Sequence, residues 1–200
     1  EHSQEASISI NEVVVVDNHV FKVISCNMDG SVLRLAYEGY QKNREGGMLD
    51  NKIPVLTGKS LTNDDTISIN KLVSAGNYVL LDFWGSWCAP CIRSMPNLKL
   101  LADRVEAGKV KLVGVDYEYS SNGQQSAKEY LTKNKINWRQ VAELSTAQTD
   151  KSFPTRMSVK NYPTFILINP DGKIIAREIG EDGLLRIESQ LNKLGLLNKL

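Results

Sequence analysis

The sequence predicts an α/β protein: a mixed central sheet flanked by helices, preceded by a small N-terminal β extension. Three observations carry this. From about residue 58 onward, apolar runs of strand length alternate with segments of helical period, which calls for a sheet covered by helices. Near the end, "TFILINPDGKIIAREI" reads as a hairpin, and one more amphipathic segment follows it. Before residue 58 the runs are β-branched and separated by turn signals, with no helical period. The expected division is residues 1–57, a β-meander extension and linker, and residues 58–200, the α/β domain. A chain of 200 residues is long enough for both.

In order, "EVVVVDN" and "HVFKVISCNM" are strand-like, and the Asp-Gly of "MDGS" turns the chain into "VLRLAYEGY". The polar stretch "QKNREGGMLDNK", with Gly46 and Gly47, reads as a linker before "IPVLTGKSL". "YVLLDFW" is apolar throughout, as a strand buried on both faces must be. A helix is expected over about residues 88–107, with Met95, Leu98, Leu101, Ala102 and Val105 inward. "KVKLVGVDYE" is a second buried strand, and "QQSAKEYLTKN" a helix with Ala127, Tyr130 and Leu131 on one side. In the closing hairpin, Asn-Pro-Asp-Gly puts Pro second and Gly fourth in the turn. The last helix, "GLLRIESQLNKLGLL", presents Leu184, Ile187, Leu191 and Leu194 on one face. There is no internal repeat or low-complexity tract.

Composition narrows the function classes. An apolar fraction of 42% is that of a globular chain, and a net charge of +1 with dispersed Lys and Arg gives no footprint for nucleic acid. No apolar run approaches the roughly 20 residues that span a bilayer, and "EHSQEASISI" has neither the basic start nor the apolar middle of a secretory signal. Three cysteines are too few for a disulfide scaffold, and an odd count leaves one unpaired.

The stretch "LLDFWGSWCAPC", ending at Cys91, admits three chemistries: a metal clip, a structural disulfide, or a redox pair that cycles. A metal site needs about four ligands. Beyond Cys88 and Cys91 the chain offers only His2, His19 and Cys26, so no metal or other cofactor is expected. A static disulfide closing so short a loop adds little stability. A redox pair fits better. Cys88 falls where a buried strand gives way to a helix, so its sulfur meets the free N–H groups and positive dipole end of the first turn. Such placement lowers a thiol pKa from about 8.5 into the range of about 3.5 to 7.5, which makes Cys88 the attacking thiolate. Cys91, one helical turn on, is placed to resolve the mixed disulfide, and Pro90 suits the first turn.

Asp82 lies inside the apolar run. Burial raises a carboxyl pKa and would make it a proton acceptor for Cys91; the alternative is an Asp that faces water or accepts backbone hydrogen bonds at a strand end. In "NYPTF", Pro163 precedes a strand and is a candidate cis residue whose flanking backbone could pair with a substrate strand, a trans strand-start proline being the alternative.

Taken together these residues resemble the thioredoxin superfamily. "DFWGSWCAPC" is similar to its active-site signature, with an acid six positions before the first Cys; Pro96, five after the second, matches the proline of the active-site helix, and "YPT" matches the cis-Pro loop. The likeness spans about residues 58–200. The long connection from "GVDYE" to "YPT", and "FILINPDGKIIAR" after it, resemble the TlpA-like and ResA-like branch.

The resemblance implies a thiol-disulfide oxidoreductase in which Cys88 attacks, Cys91 resolves and Asp82 moves the proton. It implies substrate contacts from Trp87, Ala89, Pro90, Tyr162 and Pro163, the last after a cis bond. It also implies protein disulfides as substrates, an upstream thiol as electron donor, and work outside the bacterial cytoplasm, in the periplasm or cell envelope, with an anchor or signal segment that this sequence does not contain. Two alternatives stand beside disulfide reduction: an isomerase or oxidant, because direction follows the reduction potential, and a non-catalytic partner-binding module.

The chain departs from the pattern in "KLVGVDYE", which is apolar where cytoplasmic thioredoxins carry a Lys near the buried acid, and in its first 50 or so residues, which the likeness does not cover. Trp84 is expected in the core beneath the site and Trp87 partly exposed. Cys26 is expected to be a small buried apolar residue, a regulatory thiol being the alternative. Tyr117 and Tyr130 are assigned to packing, and Glu118 is a minor site candidate.

Overall fold

The computed structural model describes residues 13–16, 19–40, 47–106, 108–145 and 152–198. The first half of the stretch read as a linker, residues 41–46, and the N-terminal residues with His2, lie outside them. The chain divides into two compact units, Glu1–Arg44 and Glu45–Leu200.

The first unit is the expected meander. Strands β1 (Val13–Val16), β2 (His19–Cys26) and β3 (Leu33–Tyr40) pair antiparallel in that order. Gly30 takes φ 71° in the turn, and Asn27 Oδ1 accepts the Val32 N–H at 2.7 Å. Cys26 is exposed, against the expectation of a buried residue. It is the last residue of its strand, next to the turn, where a three-stranded sheet covers little of its own surface.

The second unit opens with a hairpin, β4 (Thr57–Lys59) and β5 (Thr66–Ser68), and helix α1 (Ile69–Ser74). Then follow β6 (Tyr78–Trp84), α2 (Ala89–Arg104), β7 (Val110–Glu118), α3 (Ser121–Lys133), β8 (Arg139–Leu144), α4 (Phe153–Arg156), β9 (Thr164–Ile168), β10 (Ile174–Ile179) and α5 (Gly183–Lys193). Five strands form one sheet in the order β10-β9-β6-β7-β8; β6, β7 and β8 run parallel, while β9 runs antiparallel to both β6 and β10. This is the mixed sheet with flanking helices that the sequence predicts. Sequence reading left β4, β5, α1, β8 and α4 unassigned.

Alternate residues of β6 serve two apolar layers. Leu80 and Trp84 join Met95, Leu98 and Leu101 of α2, Ala127 and Leu131 of α3, and Leu184, Ile187 and Leu191 of α5. Val79, Leu81 and Phe83 face the other way, with Ile69 and Val73 of α1 and Phe153 and Met157 of α4. The closing hairpin turns as its residues dictate: Asn169 Oδ1 accepts from the N–H of Asp171 and of Lys173, and Gly172 sits at φ 78°.

Leu194 departs from expectation. It is the C-cap of α5 and 39% exposed. Gly195, at φ 67°, turns the chain so that Leu196 returns to the core instead. Ile187→Ala, at a fully buried position, should therefore lower stability by about 2 to 5 kcal/mol, whereas Leu194→Ala should lower it by less than about 1 kcal/mol. Urea denaturation of the two variants checks this; equal losses would place Leu194 in the core after all.

Candidate active site

Cys88 is the N-cap of α2, and the N–H of Cys91 donates to its Sγ at 3.2 Å. The Cys88 N–H in turn donates to Gly85 O at 3.0 Å. This local fold follows from the sequence: β6 ends at Trp84, Gly85 and Ser86 turn the chain, and a proline in the first turn starts the helix without needing a partner for its missing N–H. The two sulfurs form a disulfide with S–S 2.06 Å and Cα–Cα 5.2 Å. Both are buried, Cys91 at 1% and Cys88 at 4% exposure. An N–H aimed at Sγ from the first turn of a helix is the arrangement that stabilises a thiolate once the bond is reduced. Ala89 is exposed and Pro90 partly so, on the outer side of the pair. Pro96 lies inside α2.

The loop ahead of Cys88 is held from the end of β7. Glu118 accepts the Ser86 N–H, and the Trp87 indole N–H donates to Tyr117 O at 2.8 Å. Gly85 is required here, because a Cβ would collide with the Trp87 indole and the Tyr117 carbonyl. Trp87 is 41% exposed, and its ring lies 4.9 Å from that of Tyr119 and 5.4 Å from that of Tyr162. Tyr162 stacks on Tyr117 at 5.6 Å, and the Tyr162–Pro163 peptide is cis. Burial, with Tyr117, Tyr119 and Glu143 nearby, drives the Tyr162 hydroxyl well above the ordinary tyrosine range, so it stays protonated. Trp87 and Tyr162, far apart in sequence, thus meet next to Cys88, and Pro163, buried, follows Tyr162 directly. Glu118 is buried and carries the loop backbone, and Tyr117 packs as expected. Tyr130 packs at 6.0 Å from the buried Trp84 ring.

Beneath the disulfide the layer holds polar groups. Asp82 is 2% exposed, so the alternative of an Asp facing water does not hold. Its cross-strand neighbours are Phe165 on β9 and Gly114 on β7, and its Oδ2 has no hydrogen-bond partner among the described residues. Burial pushes its pKa up to about 7. Sequence reading did not single out Asp116 or Gln140. Asp116 is fully buried on the same face of the sheet, with neither carboxyl oxygen in a hydrogen bond among the described residues; burial first, and Glu118 second, push it up to about 9. A charged residue inside an apolar strand run, the signal that marked Asp82, was present for Asp116 as well. Gln140 is 1% exposed and its Oε1 accepts the Trp84 indole N–H at 3.0 Å. It carried no signal, because β8 itself was not recognised.

Comparison with known proteins gives the site its context. The family model described as thioredoxin-like matches residues 76–174. Thiol-disulfide oxidoreductase ResA of Bacillus cereus is 26% identical over 185 residues, covering 88% of this chain and 93% of the relative. Sporulation thiol-disulfide oxidoreductase A of Bacillus subtilis is 30% identical over 122 residues, 61% of this chain and 68% of the relative. Among solved structures, the thioredoxin domain of a thiol-disulfide oxidoreductase from Bacteroides vulgatus superposes with a TM-score of 0.58 at 25% identity, covering 73% of this chain and 96% of that one. StoA from Bacillus subtilis gives 0.55 at 26%, covering 68% and 95%. With its Cys88–Cys91 pair closed as a disulfide at a helix start, the chain belongs to the thioredoxin-like thiol-disulfide oxidoreductases.

Proposed function

We propose that this oxidoreductase works as a reductase of disulfides in exported bacterial proteins, outside the cytoplasm, and is itself re-reduced by an upstream thiol donor. The observation that carries thiol–disulfide exchange is the Cys91 N–H on Cys88 Sγ, with a buried acid in the same layer; the reductive direction is the reading that the test below decides. Likeness to the ResA-type thiol-disulfide oxidoreductases supports disulfides as the class of substrate.

Reduced Cys88, as a thiolate, attacks one sulfur of the substrate disulfide; a Cys88–substrate bond forms and the other substrate sulfur leaves as a thiolate. The Cys91 thiol then gives its proton to the Asp82 carboxylate, and the Cys91 thiolate attacks Cys88 Sγ. The mixed disulfide breaks, the second substrate sulfur leaves, and the Cys88–Cys91 disulfide closes. Two electrons have passed from the cysteine pair to the substrate. Asp82 then gives up its proton as the site opens to solvent. With a pKa near 7 it is about half ionised at neutral pH, able both to take a proton and to release it. Trp87, Ala89, Pro90 and the Tyr162–Pro163 backbone form the surface on which the substrate segment lies.

Cys91→Ser should accumulate a mixed disulfide through Cys88, seen as a mass adduct that dithiothreitol removes, and Cys88→Ser should abolish insulin-disulfide reduction. If both variants reduce insulin as fast as the unaltered chain, the protein is a docking module. A reduction potential near −120 mV in equilibrium with glutathione, the strongly oxidising end of the scale, would reverse the direction to oxidation.

Asp82→Asn separates stability from catalysis. A protonated Asp82 suits the apolar interior, so its stabilising share is fully present below the ordinary pKa of 3.8 and is lost as pH rises to about 7. In the oxidised protein, Asn should therefore match Asp near pH 4 and exceed it above pH 7 by up to roughly 4 kcal/mol in urea denaturation. The same variant should resolve the mixed disulfide more slowly at neutral pH, with the first attack unchanged, in rapid-mixing kinetics. Unaltered resolution would remove Asp82 from the reaction.

A further inference from the structure

Asp82, Gly114 and Gln140 form one row across three neighbouring strands: Asp82 pairs with Gly114 between β6 and β7, and Gly114 with Gln140 between β7 and β8. Residues in such a row point to one face, here the face covered by α2. Gly114 has no side chain, and the Gln140 amide occupies its place: a Cβ there would overlap Oε1, Cδ and Nε2. The amide therefore rests over β7, about one strand spacing, roughly 4.8 Å, from the line of Asp82. Trp84 fixes which way the amide is turned. An indole N–H only donates, so the atom it meets is Oε1, which leaves Nε2 as a buried donor without a partner among the described residues. Asp82 Oδ2 is a buried acceptor in the same condition. Each buried polar atom left unpaired costs about 1 to 3 kcal/mol, and the cost falls if the donor lying over β7 and the acceptor on β6 share one partner.

We infer that Gln140 is a positioning residue for Asp82: Trp84 holds its amide over Gly114 so that Nε2 donates to the Asp82 carboxyl through one water and favours the ionised acid that receives the Cys91 proton. The inference rests on the reading of Asp82 as that proton acceptor. Other titratable groups bordering this layer are Asp116 and Glu118 on β7, the two cysteines at the start of α2, and Tyr78, Tyr130 and Tyr162 at its edges. β9 and α5 contribute apolar side chains to it, among them Phe165, Leu184 and Ile187.

The test follows the Asp82 carboxyl by carbon-13 NMR in the full oxidised chain. Gln140→Met removes the donor at similar length, and Gln140→Asn keeps an amide too short to lie over Gly114; the second variant serves if the first does not fold. Each should raise the Asp82 midpoint by about one pH unit, a tenfold loss of ionised fraction at fixed pH below the midpoint. The pH profile of mixed-disulfide resolution should move the same way, and should not move further when the substitution is made in Asp82→Asn. An unmoved Asp82 midpoint overturns the inference, and so does an equal movement of Asp116, which would mark general loosening of the layer. If Asp82→Asn alone leaves resolution unaltered, the proton-acceptor reading fails, while the carboxyl midpoint still decides the contact with Gln140.

Discussion

Strand β6 is hydrogen-bonded on both edges and covered on both faces, so nothing it carries can turn to water. That constraint makes "YVLLDFW" apolar, and it makes the one exception, Asp82, costly to bury. The same strand ends directly below the cysteine loop, so the acid it buries is delivered to the layer beneath the disulfide by the geometry of the sheet. Every other feature of the site is an answer to the position of β6. α2 begins where the strand can no longer continue, and its unpaired first-turn N–H groups fall on Cys88.

The neighbouring strand β7 supplies what β6 cannot. Its Glu118 and Tyr117 hold the backbone of Ser86 and the indole of Trp87, so the cysteine loop is fixed from the side as well as by its own Cys88–Gly85 hydrogen bond. Two pleat repeats before Glu118, Gly114 opens a space that a third strand fills with Gln140. In cytoplasmic thioredoxins a Lys stands near the buried acid. Here the residue opposite Asp82 is a glycine and the polar group comes from β8, a neutral amide in place of a charge.

What the sequence makes legible follows from how local each signal is. The cysteine pair, the proline between them and the acid six positions earlier lie in one short stretch, and the long elements announce themselves by apolar period. Short elements do not: α1, α4 and β8 each have six residues or fewer, too few for a period to stand out. Gln140 was invisible for that reason and for a second. Its relation to Asp82 passes through the register of three strands, which no spacing along the chain encodes. The helix face of α5 was read one step too far at Leu194, because the turn at Gly195 ends the period and brings Leu196 inward instead. Cys26 was read as buried from its residue type, but burial depends on what covers the end of a strand.

The two faces of the sheet divide the labour. On the face shared with α1 and α4 the strands offer apolar side chains such as Val79, Leu81, Val113 and Ile166. On the face shared with α2, Asp82, Asp116 and Gln140 are all buried, and each has at least one polar atom without a hydrogen bond among the described residues. A sequence selected for stability alone would not gather such groups in one layer, since each raises the cost of folding and apolar replacements of similar size are available. They are gathered on the face whose helix begins with the cysteines. A carboxyl kept in apolar surroundings responds strongly to any change of charge above it, and the opening and closing of the Cys88–Cys91 bond is such a change. The apolar layer behind these groups keeps the sheet intact.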